Sequence, residues 1–417
     1  MRVSLYWNEI ADFARARMAL DTGVKSLPGV ALMRAAPTVL PTLLVLSVSA
    51  GGGHVRAAQA LCAAAATLPL NALHVDAMQF VPAAFRRIYT DAYISMVARF
   101  PRMWGWLYQH MQHVQPADRT QSLRRRVERL LTRGLLRKIA AVKPDIIICT
   151  HFLPAELLAH LPAARARSCP VWVQITDYDA HRMWIQPGIA GYFVGSEEVA
   201  FRLRAEGVAA ERIHVTGLPV MPSFAVMPQR EDCARRLGFD PARPTVLLMG
   251  GGAGLGNLAE LAERILAIDP ALQLIALSGR NAVLQARLAQ IAARAGPRFL
   301  VQGHTAHVER FMACADLIVT KSGGLTSAEC LAAALPMVIN APIPGQEERN
   351  ADYLVEQGVA LKAIDPVTVE YRVRHLLADS DLRHRMAQQA RAIARPHAAT
   401  DVLRTVCVQF AGTADDA

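Results

Sequence analysis

Nine residues decide the fold of this chain: Lys321-Ser322-Gly323-Gly324-Leu325-Thr326-Ser327-Ala328-Glu329. They lie between two short apolar runs, Leu317–Thr320 and Pro336–Asn340, so the order predicts a strand, a glycine turn, a helix and a second strand. A helix that begins after a glycine turn presents unpaired backbone N–H groups, and its dipole favours negative charge there. The stretch therefore predicts a diphosphate site.

Polar residues around this turn offer partners for the other parts of a sugar nucleotide. Glu329 comes one turn into the predicted helix, where its carboxylate can accept hydrogen bonds from the two hydroxyls of a ribose. The run Pro344-Gly345-Gln346-Glu347 and Asn350 follow the next strand and can reach the hydroxyls of a sugar. We also place Lys321, Thr326 and His304 among the candidate ligands of the nucleotide.

Apolar runs alternate with helical patterns from about Thr42 onward, which predicts parallel sheets covered by helices on both faces. Two series of strands indicate two doubly wound, Rossmann-like α/β domains with a cleft between them. The first series is Leu43–Ser49, Ala72–Asp76, Asp145–Thr150, Val171–Thr176, Gly191–Val194 and Ile213–Thr216. The second is Thr245–Met249, Leu272–Leu277, Phe299–Val301, Leu317–Thr320, Pro336–Asn340 and Val359–Lys362.

The series are separated at Leu218-Pro219-Val220-Met221-Pro222, where two prolines stiffen a short connector. We therefore expect an N-terminal extension over residues 1–41, a first domain over 42–220, a second domain over 221–390, and a C-terminal helix and tail over 391–417.

Each predicted sheet opens with a glycine turn. The first turn includes Gly52 and Gly53, and the second, Gly250–Gly256, includes Gly251 and Gly252. The second turn is glycine-rich like G-x-G-x-x-G without matching it, and the next strand is followed by Ser278-Gly279-Arg280 and lacks the acidic residue of a dinucleotide site. This pattern favours a phosphate or sugar contact over NAD.

Two residues are candidates for acid–base chemistry in the cleft. His54 follows the first glycine turn and could take a proton from an attacking hydroxyl, or it could be an incidental histidine in a tight turn. Asp177 follows a strand, where it could act in the cleft or cap the next segment. Thr150-His151 ends another strand and leaves the same choice open.

Composition indicates a globular protein, with 53% hydrophobic and 19% charged residues among 417. Seven scattered cysteines without a C-x-x-C pair favour a reducing compartment over disulfides or a zinc site. The opening segment carries Asp12, Arg15 and Arg17, so we expect no signal peptide.

The excess positive charge lies in the first half. Residues 1–220 hold 25 Lys+Arg and 15 Asp+Glu, and the rest holds 45 − 25 = 20 and 35 − 15 = 20. Trp104 and Trp106 precede an arginine-dense segment that includes Arg124 and Arg125, a combination that suits an anionic membrane surface. The alternative is a buried tryptophan pair beside a solvated basic helix. We expect no nucleic-acid partner, since no recognition motif accompanies the arginines.

Three separated motifs resemble one family, the monogalactosyldiacylglycerol synthases and processive diacylglycerol glucosyltransferases. The stretch Ser49–Ala60 is similar to the N-terminal motif, and Thr176-Asp177 with His181 and Trp184 is similar to the middle motif. The donor signature is matched by Thr320–Glu329 with Ile343–Glu347 and Asn350. The resemblance spans about residues 42–390, although relatives often have His-Pro-Thr-Trp where this chain has His181-Arg182-Met183-Trp184.

The resemblance implies a GT-B fold and an inverting transfer of a hexose from a UDP-sugar to a diacylglycerol-type lipid. The first domain would face the acceptor and the membrane, and the second would bind the donor. His54 would be the base, Ser322, Gly323 and Gly324 would hold the diphosphate, and Glu329 the ribose. Gln346 and Glu347 would bind the sugar, with Asn350 supporting that loop.

No acidic cluster has metal-ligand spacing, so we expect no cofactor and no catalytic metal; the UDP-sugar is a substrate. We expect a cytoplasmic protein, peripheral on the inner face of the cell membrane. Three alternatives stay open: a UDP-sugar epimerase, a noncatalytic nucleotide-sugar-binding membrane protein, and a disfavoured NAD oxidoreductase. The sequence leaves open which sugar and which lipid are used.

Overall fold

Twelve strands make up the framework of the chain in the computed structural model, which describes residues 40–49, 51–82, 133–160, 169–251 and 257–415. The predicted extension over residues 1–41 thus lies almost wholly outside the described residues. In chain order the strands are β1 Thr42–Ser47, β2 Asn71–Asp76, β3 Ile146–Cys149, β4 Val171–Gln174, β5 Gly191–Val194, β6 Ile213–Val215, β7 Thr245–Met249, β8 Gln273–Leu277, β9 Phe299–Gln302, β10 Leu317–Thr320, β11 Met337–Asn340 and β12 Ala360–Ala363.

The strands form two six-stranded sheets in which every pair is parallel. The first has the order β2-β1-β3-β4-β5-β6 and belongs to the N-terminal half, residues 42–220. The second has the order β12-β11-β10-β7-β8-β9 and belongs to the C-terminal half, residues 221–393. The order reverses between β1 and β3 in one sheet and between β7 and β10 in the other, and ligands of open α/β sheets bind beside such points.

The strands pair in parallel because they are apolar on both faces. Strand β1 is buried at five of its six positions, and β8 is buried throughout. Leu44 and Leu46 pack on one face of the first sheet, while Leu43 and Val45 pack on the other. Helices must therefore cover both faces, which only a doubly wound arrangement provides.

The helices connect these strands. Those of at least seven residues are α1 Gly52–Ala65, α2 Arg133–Val142, α3 Phe152–Ala159, α4 Glu197–Ala205, α5 Arg230–Leu237, α6 Leu258–Leu266, α7 Ala282–Ala295, α8 Val308–Cys314, α9 Gly324–Ala332, α10 Gln346–Glu356, α11 Pro366–Ala378, α12 Ser380–Ile393 and α13 Ala398–Asp415. Helix α1 begins at Gly52, three residues before Val55, where the sequence after the first glycine turn predicts its start. Across the described ranges, none of these helices combines the length and apolarity that crossing a bilayer demands.

The last helix returns to the N-terminal half. Val402, Leu403 and Val406 of α13 are buried in the same cluster as Leu43 of β1 and Leu61 of α1. The chain therefore crosses between the halves twice, once near Leu218–Pro222 and once just before α13.

The first crossing is packed tightly. Leu218 and Val220 are each 1% exposed and share a cluster with residues of the C-terminal half. Any movement between the halves must repack these side chains. The predicted fold class is confirmed, with all twelve strands in place. The division into four segments stays a prediction.

Candidate active site

The carboxyl ends of the two sheets meet at one backbone contact. A Cβ atom built on Gly324, the first residue of α9, would lie only 2.0 Å from the Thr176 carbonyl oxygen after β4. Only glycine allows the N-terminus of α9 to approach the opposite half this closely. The predicted donor turn and the predicted middle motif are therefore neighbours.

His54 lies beside this contact, in the first turn of α1. Its Nδ1 atom is 2.8 Å from the Thr150 carbonyl oxygen and 2.9 Å from the Thr176 hydroxyl oxygen. A carbonyl oxygen can only accept, so we assign the ring proton to Nδ1, which leaves a lone pair on Nε2. Two neighbours thus fix the ring with Nε2 as its proton acceptor.

Other rings surround His54 and keep it neutral. The His151 ring lies edge-on at 4.5 Å between centroids, and the Trp184 ring is 6.3 Å away. Burial lowers the pKa of His54 to about 4, while the bond to Thr150 opposes that shift. Burial also lowers the pKa of His181 to about 4, and it lowers the pKa of His151. His54 is therefore in its basic, uncharged form at neutral pH.

Asp177 is joined to the C-terminal half by Asn350 of α10. The Asn350 Nδ2 atom donates to Asp177 Oδ1 at 2.9 Å and to the Ser322 carbonyl oxygen at 3.0 Å. Its Oδ1 accepts from the Tyr178 N–H at 2.8 Å, and the whole side chain is buried. Burial raises the pKa of Asp177 to about 6, although the bond from Asn350 lowers it. Asp177 thus forms a contact between the halves, which the helix-cap alternative did not anticipate.

Two more contacts hold the halves together at the same edge. The Tyr178 and Tyr353 rings stack with centroids 4.7 Å apart. Asp179 is buried and pairs with Arg202 of its own half at 3.1 Å and with Arg349 of α10 at 3.0 Å. Helix α10 therefore carries residues that connect the halves along much of its length.

The donor turn is held from behind by the same helix. The Ser322 hydroxyl donates to the Glu347 carbonyl oxygen at 2.6 Å, and the Glu347 carboxylate accepts from the Ile343 N–H at 2.8 Å. Burial raises the pKa of Glu347, while nearby Lys321 opposes that rise. These bonds fix the backbone of the turn. Since the hydroxyl of Ser322 bonds to Glu347, it does not cap α9, and the N–H groups at the start of that helix are left for a ligand.

Glu329 is buried in α9 and meets an arginine from the opposite half. The Arg56 Nε atom of α1 lies 3.4 Å from Glu329 Oε1, and its terminal nitrogen donates to the Ala306 carbonyl oxygen at 3.2 Å. Burial raises the pKa of Glu329 to about 7; Arg56 opposes that rise and the nearby Glu309 adds to it. The predicted ribose ligand therefore has a cation as its present partner.

The remaining predicted residues that the structure describes lie near the carboxyl ends of the strands of the two sheets. Gly53 lies in the first turn of α1, where a Cβ would be 3.7 Å from the Leu325 side chain, and Gly52 precedes it. Gly251 follows β7 and the exposed His304 follows β9, both at the carboxyl edge of the second sheet. Thr326 and Gln346 lie in the first turns of α9 and α10. The predicted residues Gly252, Trp104, Trp106, Arg124 and Arg125 lie outside the described residues.

Sequence reasoning missed the residues that act across the cleft. Arg56, Asp179 and Arg349 were not candidates, and Thr150 and Thr176 were named as strand ends or as part of a motif without a role of their own. One signal was present for Arg56: it follows Gly53 by three positions and so shares a helix face with the glycine turn. Across the described residues no group of three His, Cys, Asp or Glu side chains could hold a metal ion, and the expectation of a metal-free site stays a prediction.

Two family models match the chain. Residues 54–220 match the model described as monogalactosyldiacylglycerol (MGDG) synthase, and residues 245–402 match the glycosyltransferase family 28 C-terminal domain. The first match ends within the first crossing, Leu218–Pro222, and the second begins after it, so each model corresponds to one half of the fold.

Curated relatives match over part of their length. A processive diacylglycerol beta-glucosyltransferase of Bacillus subtilis is 29% identical over 245 residues, covering 58% of this chain and 63% of the relative. The monogalactosyldiacylglycerol synthase 3, chloroplastic, of Arabidopsis thaliana is 32% identical over 288 residues, covering 63% of this chain and 59% of the relative. These alignments thus span about three fifths of each relative.

Solved structures match in fold. The S. aureus MnaA–UDP structure covers 87% of this chain and 95% of its own, with a TM-score of 0.60 and 14% identity. The Acinetobacter baumannii MurG structure covers 87% and 98%, with a TM-score of 0.57 and 16% identity. The two sheets and these neighbours together define a GT-B arrangement. Both models and the curated relatives therefore agree with the resemblance seen in the sequence, which is to monogalactosyldiacylglycerol synthases and processive diacylglycerol glucosyltransferases.

Proposed function

We propose that this protein is an inverting glycosyltransferase that moves a hexose from a UDP-sugar to a diacylglycerol-type lipid. One observation carries the proposal: a neutral histidine of one half lies beside the donor turn of the other. His54 bonds to Thr176, and the Thr176 carbonyl packs against Gly324 at the start of α9. A proton acceptor and an anion site therefore share one edge of the cleft.

The donor would lie along α9 and the loop after β11. Backbone N–H groups at the start of α9 would hold the diphosphate, together with the dipole of that helix. The ribose hydroxyls would bond to Glu329, and the sugar hydroxyls to Gln346 and Glu347. Lys321 adds positive charge beside Glu347, as its effect on the pKa of that carboxylate indicates.

The chemical step would begin at the acceptor hydroxyl. Its oxygen attacks the anomeric carbon on the face opposite UDP while its proton passes to Nε2 of His54. The bond between the anomeric carbon and the β-phosphate oxygen breaks, and the electron pair leaves with UDP. Helix N–H groups already in place stabilise the growing charge. The negative diphosphate would also raise the pKa of His54 toward the working pH, which strengthens it as a base.

The names of the relatives, and not the geometry of the cleft, support our proposal for the acceptor. The relatives are named for transfer to diacylglycerol, and we propose the same class of acceptor here. Trp104, Trp106, Arg124 and Arg125 would then belong to the surface of the protein that binds the inner face of the cell membrane. If these residues act together, replacing both tryptophans with alanine weakens sedimentation with anionic liposomes more than with neutral ones. Unchanged sedimentation would make the pair structural.

The experiment that tests the function is UDP release from a panel of UDP-sugars, with and without diacylglycerol in anionic vesicles. We expect release that requires one particular donor together with the lipid. Interconversion of the sugar without lipid would instead support an epimerase. Binding of UDP without release under any condition would support a noncatalytic role.

A further inference from the structure

Arg56 is the feature that the proposed mechanism does not use. It lies on α1 of the N-terminal half, yet both of its polar contacts are to the C-terminal half, the Glu329 carboxylate and the Ala306 carbonyl oxygen. Its side chain is 22% exposed, whereas that of Glu329 is 7% exposed. The guanidinium is therefore the more exposed partner of this pair, and the Glu329 carboxylate is the buried one.

The position of Arg56 on α1 brings it near the proposed diphosphate site. Gly53 precedes it by three residues and so lies on the same helix face, one turn nearer the N-terminus. A Cβ on Gly53 would be 3.7 Å from the side chain of Leu325, in the first turn of α9. Helices α1 and α9 thus run side by side, with Gly53 beside the first turn of α9 and Arg56 one turn further along, beside Glu329.

The present pair conflicts with the proposed use of Glu329. A carboxylate that holds the two hydroxyls of a ribose must give up part of its contact with the guanidinium. An arginine displaced from a carboxylate inside a cleft needs another anion, since a partly buried charge without a partner is costly. A diphosphate at the start of α9 is such an anion, and the planar guanidinium can bind two phosphate oxygens at once.

We propose that Arg56 exchanges partners when the donor binds, releasing Glu329 to the ribose and taking the diphosphate in its place. This inference rests on the proposed function and adds to it a donor-binding residue from the acceptor side of the cleft. Because the exchange requires both the ribose and the diphosphate, a nucleoside alone has to displace Arg56 without offering it a new partner. Arg56 would therefore make the site select nucleoside diphosphates over nucleosides.

The test compares the dissociation constants of UDP and uridine at pH 8, measured on the full chain and on Arg56→Gln. The proposal predicts that the substitution weakens UDP binding at least about tenfold and leaves uridine binding unchanged or tighter, because the competitor for Glu329 is gone. The selectivity for UDP over uridine then falls by at least the same factor. Equal losses for both ligands, or an unchanged selectivity, would overturn the role of Arg56.

Two controls make the result specific. Arg264→Gln removes an arginine that pairs with Glu260 and Glu370 in the C-terminal half, and it should leave the selectivity unchanged. Arg56→Met keeps the aliphatic part of the side chain. It is used in place of Arg56→Gln if circular dichroism shows that Arg56→Gln is unfolded, and we expect the same loss of selectivity for UDP over uridine. A native chain that binds UDP no tighter than uridine would contradict the proposed function itself, which separates the two failures.

Discussion

Asn350 donates a hydrogen bond from Nδ2 to Oδ1 of Asp177 at 2.9 Å, and the two residues lie 173 positions apart in opposite halves of the fold. Asn350 also bonds to the Tyr178 N–H and to the Ser322 carbonyl oxygen. One buried amide therefore links the middle motif to the donor turn. These three bonds use both hydrogens of its Nδ2 as well as its Oδ1, so Asn350 positions the site.

Replacing Asn350 tests this link. Asn350→Ala leaves the Tyr178 N–H and the Ser322 carbonyl without partners, and each orphaned buried group should cost about 1–3 kcal/mol in the free energy of unfolding. Urea denaturation measures this change. Asp352→Asn, on the exposed side of the same helix, should change stability by less than about 0.5 kcal/mol. Equal stability of Asn350→Ala and the native chain would contradict the link.

The contact between the halves at Gly324 gives a second prediction, for which the neighbouring Gly323 provides the control variant. Gly324→Ala places a Cβ 2.0 Å from the Thr176 carbonyl oxygen, so the backbone must shift, at a cost of about 1–3 kcal/mol. Gly323→Ala meets no atom within 4 Å and should leave the unfolding free energy nearly unchanged. Thermal unfolding of the two variants side by side distinguishes them. Similar behaviour of both would mean that the halves do not pack here in solution.

Loss of His54 should affect turnover far more than donor binding. A well-placed general base contributes about 10²- to 10⁴-fold to the rate, so His54→Gln should lower kcat by that range and retain the affinity for UDP. Steady-state kinetics and UDP titration measure the two quantities. His384→Gln alters an exposed histidine on α12 and should have native kinetics. Near-native turnover of His54→Gln would remove the base assignment.

Donor binding should depend on pH through Glu329. Its pKa is raised to about 7, so the carboxylate becomes protonated as the pH falls through 7 and accepts ribose hydroxyls less well. The affinity for the preferred UDP-sugar should therefore fall between pH 8 and pH 6, by up to about tenfold per pH unit below the pKa. Glu329→Gln should bind weakly at both pH values. A Gln variant that keeps the native pH dependence would show that another group titrates.

Much of the fold could be predicted because its signals are local. Most of the twelve strands are short apolar runs, and a parallel sheet buries both faces of its central strands, so the run itself indicates the strand. The glycine turns could be placed for the same reason, since each follows such a run directly. The start of α1 was predicted three residues late because glycines are poor helix formers, and here Gly52 and Gly53 form its first turn.

The contacts between the halves could not be predicted in this way. The pair of Arg56 and Glu329 spans 273 positions, and no local pattern specifies which faces of two domains will meet. The return of α13 to the first sheet is similar: Val402, Leu403 and Val406 form an apolar face that would suit either half. The separate parts of the site were therefore predictable, while their connections required the structure.

Transfer to diacylglycerol can be measured by mass spectrometry of the lipid after incubation of the protein with diacylglycerol vesicles and a UDP-sugar. We expect diacylglycerol to gain the mass of one or more hexose units, in amounts that match the UDP released, and we expect His54→Gln to slow this gain. Diacylglycerol of unchanged mass with every donor, while the protein still binds UDP, would contradict transfer to this lipid.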